Sequence, residues 1–218
     1  LVFFAILFVC QFALAQNDSI YHLETVEISD VQLKQFSNSQ SVQQLSDSII
    51  NKNQASLTSL LNYNTVIYFK ENGLGMVSSP SFRGTTAQQT AFVWNGININ
   101  SSFLGQGDIN NIALFGYDQI GIKAGGGSVV YGSGAIGGSI HLNNTLDFNK
   151  GFHGSLFSEV ASFNTYNNFV KGSYSNDKFS FKASGNYSVS ENNYEVSDLN
   201  YINRNGNYYN TTFNVGAS

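Results

Sequence analysis

Between residues 178 and 189 the side chains alternate without a break. Phe179, Phe181, Ala183, Gly185, Tyr187 and Val189 fall on one face of an extended chain. Lys178, Ser180, Lys182, Ser184, Asn186 and Ser188 fall on the other. Strand side chains repeat every two residues and helix side chains every 3.6, so this stretch acquires one apolar face only as a strand. The run approaches the ~9–11 residues that a tilted barrel strand needs to cross a membrane. The same period governs the chain from Gly151 onward. A run from Tyr166 to Tyr174 precedes it across the tight turn Ser175-Asn176-Asp177, and a polar stretch from Glu191 to Asn207 leads to another run from Tyr208. A short turn at one end and a long loop at the other is the asymmetry of a membrane barrel. Fourteen of the 69 residues from Lys150 to Ser218 are Phe or Tyr, several of them near strand ends, as aromatic girdles require. A secreted β-sandwich alternates in the same way, and alternation alone leaves it open.

Only 11% of the 218 residues are charged, and the net charge is −4 with no basic cluster, so there is no nucleic-acid footprint. Residues 1–15 (LVFFAILFVCQFALA) are too short to span a bilayer and end in Ala13-Leu14-Ala15, a small-x-small cleavage site. They read as a signal peptide lacking its Met and basic start. Cys10 is preceded by Val9, too large for a lipoprotein attachment site. With residues 1–15 removed the chain has no cysteine, so its stability must come from something other than disulfides, such as a hydrogen-bonded barrel.

Residues 16–39 are polar around one strand-like patch, Leu23-Glu24-Thr25-Val26-Glu27-Ile28. Two readings are open for it: an edge strand of the next domain, or an extended segment that adds to a partner's sheet. Residues 40–145 read as an α+β unit. A weak strand spans 41–46, and Asp47 is placed to cap the turn Ser48-Ile49-Ile50. Leu57, Leu60 and Leu61 mark a helix, and Val66-Ile67-Tyr68-Phe69 a buried strand. Ser81-Phe82-Arg83-Gly84 precedes a hairpin in which Asn95-Gly96, the type I′ dipeptide, joins Ala91-Phe92-Val93-Trp94 to Ile97-Asn98-Ile99. Residues 108–114 suggest a short helix and Ile120 to Lys123 a strand. The glycine-dense segment 125–142 follows, where the backbone turns tightly or is closely approached.

In this order the pieces resemble a TonB-dependent outer-membrane receptor. Residues 23–28 look like its TonB box. Ser81-Phe82-Arg83-Gly84 matches its Arg-Gly motif, and Phe92-Val93-Trp94-Asn95-Gly96-Ile97 its hydrophobic strand and turn. Tyr131-Gly132-Ser133-Gly134-Ala135-Ile136-Gly137-Gly138-Ser139-Ile140 matches the end of its plug domain. The resemblance implies an α+β plug over 40–145 and, over 150–218, the first antiparallel strands of a barrel of about 22. The chain is then the N-terminal part of a longer protein. It implies active uptake of a scarce nutrient such as a siderophore or cobalamin, with residues 23–28 binding TonB, powered by ExbB–ExbD. Arg83, Gly84, Trp94, Asn95, Gly96, Gly132, Gly134, Gly137 and Gly138 would shape or gate the plug. The implied partners are TonB with ExbB–ExbD, an extracellular small molecule and outer-membrane lipid, and the implied location is the Gram-negative outer membrane. No cofactor is implied.

Three positions depart from the family pattern. Gly121 and Ala124 stand where a Glu and an Arg are usual, and Asn95 where Asp is common. Arg83 and Lys123 are left as candidates to anchor the plug. The Trp94-Asn95-Gly96 variant resembles receptors of Bacteroidetes-type bacteria, some of them cobalamin-receptor-like. Trp94 is expected in the plug core, and inward Lys and Asn on the strands as wetting of the lumen.

Rival readings are weaker. Gly132-x-Gly134-x-x-Gly137 satisfies a dinucleotide fingerprint, but a β-like run follows where that fold needs a helix. His22, His141 and His153 are isolated, and no Ser/His/Asp set or metal-ligand spacing exists, so no catalytic or metal residue is assigned. A surface adhesin or secreted interaction module accounts for the alternation, but not for the patch at 23–28 or the glycine-rich segment.

Overall fold

A computed structural model describes residues 41–52, 56–71, 73, 75–196 and 201–218. Residues 1–40, including the whole patch at 23–28, lie outside the described residues.

Two β-structures are built one after the other. The first, a mixed domain, opens with β1 (Val42–Leu45), α1 (Asp47–Lys52) and α2 (Leu57–Asn64). Helix α1 begins at Asp47 itself, so the Ser46 carbonyl closes its first turn and the expected cap lies one residue too late. Ser56 caps α2, its hydroxyl accepting from Ser59 N–H at 3.3 Å. Leu57, Leu60 and Leu61 are fully buried along that helix, as their i, i+3, i+4 spacing predicts. A hairpin of β2 (Ile67–Glu71) and β3 (Ser78–Phe82) follows, then β4 (Thr90–Trp94), β5 (Ile97–Asn98), β6 (Gln119–Ala124), α3 (Ser128–Tyr131) and β7 (Gly138–Asn143). The expected helix over 108–114 is two 3-10 turns, Ile109–Asn111 and Leu114–Gly116.

The central sheet has the order β1-β6-β7-β4-β5. Every pairing is antiparallel except β4 with β7, whose parallel register sets Phe92 beside Ile140. One face carries Phe92, Ile120, Ile122, Ile140 and Leu142 into the main core with the α2 leucines. The other carries Ala91 and Val93, covered by Tyr131 and Ala135 of the glycine-rich segment. That segment therefore supplies the cover for a second sheet face. Helix α3 ends where Gly132 takes φ 86°, and β7 follows; the dinucleotide reading has no helix after its glycines.

The second structure is a sheet of four long strands, β8 (Gly151–Ala161), β9 (Thr165–Ser175), β10 (Ser180–Ser190) and β13 (Tyr208–Ala217), in the order β13-β10-β9-β8. All are antiparallel, with ten or eleven residues each. Asn176 closes the β9–β10 turn, its side-chain oxygen accepting from Lys178 and Phe179 N–H. A short hairpin, β11 (Glu195–Val196) with β12 (Tyr201–Ile202), lies in the long connection from β10 to β13. Leu156, Val170, Tyr209, Phe213 and Val215 are exposed on one face, which is the lipid-facing pattern. Phe152, Tyr174 and Phe181 are in register at the short-turn end of that face, and Tyr166 and Tyr209 flank Val189 at the other. The two aromatic rows lie eight residues apart along β9, about 27 Å of strand. The opposite face receives the mixed domain.

Candidate functional site

The residues singled out from the sequence gather at two places in the mixed domain. Arg83 and Gly84 form a two-residue turn with φ 49° and 86°, closed by Thr85 N–H donating to Phe82 C=O at 2.9 Å. An arginine at positive φ is uncommon, since its Cβ crowds the following carbonyl. This turn packs on the glycine-rich segment. A Cβ on Gly137 would meet Thr85, and one on Gly138 would stand 2.8 Å from the Lys123 carbonyl oxygen and 2.9 Å from the Phe82 ring. Gly138→Ala should therefore overpack the start of β7 and cost about 1–3 kcal/mol, lowering the urea midpoint at unchanged slope. Gly84→Ala, with nothing within 4 Å of the new carbon, should cost only its backbone strain. Equal midpoints for the two variants would overturn this account. Gly134, by contrast, has only ordinary contact, with the Gln88 carbonyl 3.4 Å from its would-be Cβ.

Trp94, Asn95 and Gly96 gather at the other place. Asn95 (φ 45°) and Gly96 (φ 86°) make the expected hairpin turn. There Trp94 and Asn95 bond the chain as it leaves β7. The Asn95 side-chain oxygen accepts from Asn144 N–H at 2.8 Å, and Trp94 Nε1–H donates to the Asn144 side-chain oxygen at 2.8 Å. Asn144 in turn donates to the Gly116 carbonyl at 2.6 Å. Trp94 is 36% exposed, so the expectation of a core ring is corrected. Its neighbours Phe92 and Leu142 fill the core, and the indole ends over the exit segment because its N–H needs a partner there.

Among the contacts by which the mixed domain meets the long strands are two that the sequence reading missed. Asp118, just before β6, accepts from Lys171 Nζ on β9 and from Lys182 Nζ on β10, the latter at 2.8 Å. Thr145 N–H adds a third bond at 2.8 Å, and Lys182 also donates to the Thr145 carbonyl. The three charged side chains are only 15–22% exposed. Burial pushes the Asp118 carboxyl up, but the hydrogen bonds from Lys171 and Lys182 together outweigh it and hold it below its ordinary range. Nearby, burial raises the Tyr117 phenol. Among the described residues it is Asp118, and not the candidates Arg83 and Lys123, that is seen paired with the strands. Arg83 is exposed and makes no ion pair among the described residues, and Lys123 is buried in β6 beside Ser139 of β7. Lys171 and Lys182 do more than wet the inner face. The sequence signal was two lysines at inward positions of a chain poor in charge; what it lacked was their acid.

The second contact is aromatic. In the 3-10 turn Leu114–Gly116, Leu114 enters the domain core and Phe115 reaches the strands. Its ring lies 4.4 Å from Phe157 of β8 and 5.7 Å from Phe169 of β9, which are in register with each other.

Two cavities lie between the domain and the inner face. The smaller, about 260 Å³, is toward the end with the long β10–β13 connection and is bordered by Gly75, Asn110, Glu159, Asn167 and Tyr208. The larger, about 680 Å³, is toward the short-turn end and is bordered by Phe115, Asp118, Leu146, His153 and Lys171. No group of three or more metal-ligating side chains occurs among the described residues.

Comparison with known proteins agrees with this two-part build. Residues 34–139 match the family described as "TonB-dependent Receptor Plug Domain". The chain is 32% identical over 130 residues to the vitamin B12 transporter BtuB of Vibrio vulnificus, covering 56% of this chain and 21% of that protein. It is 36% identical over 70 residues to the vitamin B12 transporter BtuB of Photobacterium profundum, covering 32% of this chain and 12% of that one. The chain thus spans about a fifth or less of the length of these relatives. The ferric yersiniabactin uptake receptor FyuA of Yersinia pestis superposes with a TM-score of 0.65 at 17% identity, over 83% of this chain and 29% of that one. For the copper transporter OprC the TM-score is 0.63 at 16% identity, over 82% and 28%. These matched proteins are transporters and receptors.

Proposed function

The chain belongs to the TonB-dependent receptors of the Gram-negative outer membrane, and on that premise we propose that it takes up a scarce extracellular nutrient through a barrel that its mixed domain plugs. The observation that carries this reading is the Asp118–Lys171–Lys182 contact, which fixes the plug against the inner face of the wall. A plug held there blocks the lumen, so a ligand bound outside cannot simply diffuse through. An outer membrane has neither ATP nor a usable gradient, and the work must arrive mechanically. Residues 23–28 would pair with TonB as an added strand, which draws on main-chain donors more than on particular side chains. The pull would come from ExbB–ExbD. No enzymatic step is proposed. A secreted adhesin gives no reason for a separate domain packed on the inward face of the strands.

For the ligand, the two vitamin B12 transporters among the relatives make a corrinoid the first class to test. Cells relying on the complete receptor should accumulate labelled cyanocobalamin, and accumulation should stop when TonB is deleted or a protonophore is added. Uptake that continues without TonB would sink the coupling. Absence of cyanocobalamin binding would sink the corrinoid assignment while leaving the coupling testable with ferric siderophores.

A further inference from the structure

The two cavities occupy the same inner face, and three chain segments run from one to the other. On the plug, Ala113 borders the smaller cavity and Phe115 the larger. On β8 the changeover is from Glu159 to Phe157, and on β9 from Asn167 to Phe169. Each segment crosses within two residues, and at each crossing an aromatic ring stands. The three rings are the ones already in contact, Phe115 against the paired Phe157 and Phe169. We propose that solute passes along the inner face of β8 and β9, from the smaller cavity to the larger, and that Phe115 is the seal between them.

This rests on the transport reading and adds a route and a residue to it. The smaller cavity carries polar groups, including Asn110, Glu159 and Asn167, which can replace the hydration of an entering solute. The three rings beyond it are apolar, and an apolar constriction formed by them would stay closed to ions by excluding water. The turn that carries Phe115 is held on both sides. Leu114 is buried in the plug core, and a Cβ on Gly116 would stand 3.0 Å from the Asn214 side chain of β13. Asp118 clamps the same connection to β9 and β10 three residues on. Opening therefore requires the Leu114–Gly116 turn to leave the wall; the central sheet can stay intact.

The test is ion conductance of the complete receptor in planar bilayers bathed in potassium chloride. Wild type should be sealed. Phe115→Ala should conduct, because the lost ring leaves room for several waters of about 30 Å³ each. Since Phe115→Ala can also loosen the plug, Phe157→Cys on the wall is the second variant. It should conduct too, and benzyl methanethiosulfonate, which restores a ring at that position, should close it. Both variants as tight as wild type would overturn the seal. So would a leak in Phe115→Ala with none in Phe157→Cys, because the current would then run through a loosened plug. A wild-type receptor that conducts freely would overturn the transport reading itself, a different result from either.

Discussion

A receptor carrying Val26→Pro should reach the outer membrane at normal levels, bind its ligand with unchanged affinity and accumulate none of it. Proline lacks the backbone N–H and fixes φ, so it removes a donor from the segment proposed to pair with TonB. Main-chain bonds dominate such strand addition, and one lost donor in a six-residue box interrupts the ladder at its centre. Val26→Ala keeps the donor and should be much milder. The outcomes to measure are surface level, ligand affinity at the intact cell and intracellular accumulation. Normal accumulation by Val26→Pro would remove residues 23–28 from the coupling. Failure of the variant to reach the membrane would make the loss one of assembly and also count against the idea.

Asp118→Ala should release the plug from the wall. Its carboxylate balances two ammonium groups that are mostly withdrawn from water, and removing it leaves Lys171 and Lys182 facing each other unpaired. Taking one partner from a buried ion pair costs on the order of 3–5 kcal/mol, nearer the lower figure here because each side chain keeps some solvent. The purified receptor should unfold at a lower temperature and yield plug fragments to protease sooner. Asp118→Leu with Lys171→Met and Lys182→Met should recover most of the loss, since apolar replacement of a whole buried cluster is close to neutral. Asp118→Ala with wild-type stability and protease resistance would show that the contact does not hold the plug.

The same group sets an acid limit. The folded pKa of Asp118 lies below the unfolded one, so between the two the unfolded chain binds more protons and stability rises with pH. The contribution is complete above the unfolded value and is lost as pH falls through the folded one. Wild type should thus keep this contribution throughout the neutral range and lose it only in acid below the ordinary carboxylate range, seen as a drop in unfolding temperature. Asp118→Ala should lack that acid transition.

Much of this architecture was legible in the order of residues. Alternation at positions 178–189 specifies a strand with one apolar face whatever surrounds it, because successive side chains point to opposite sides. Asn95-Gly96 specifies its turn because both central residues need positive φ, and the α2 leucines specify a buried helical face by spacing alone. These are relations between residues a few positions apart, and they hold before the chain closes. The contacts that join plug to wall are of another kind. Asp118 meets lysines 53 and 64 residues further on, and Phe115 meets rings 42 and 54 residues away. Nothing local marks Asp118 as the partner of Lys171, since an aspartate before a strand has the same neighbours whether it is solvated or paired. Gly121 and Ala124 in place of the usual charges left open which residues tie the domain to the strands. That Asp118 does so depended on how the 3-10 turn at Leu114–Gly116 sits against β8, β9 and β10, and that is set by packing two separate sheets together. The parallel pairing of β4 with β7 and the exposure of Trp94 were decided in the same way, by which strand edges and faces remained once the core had closed.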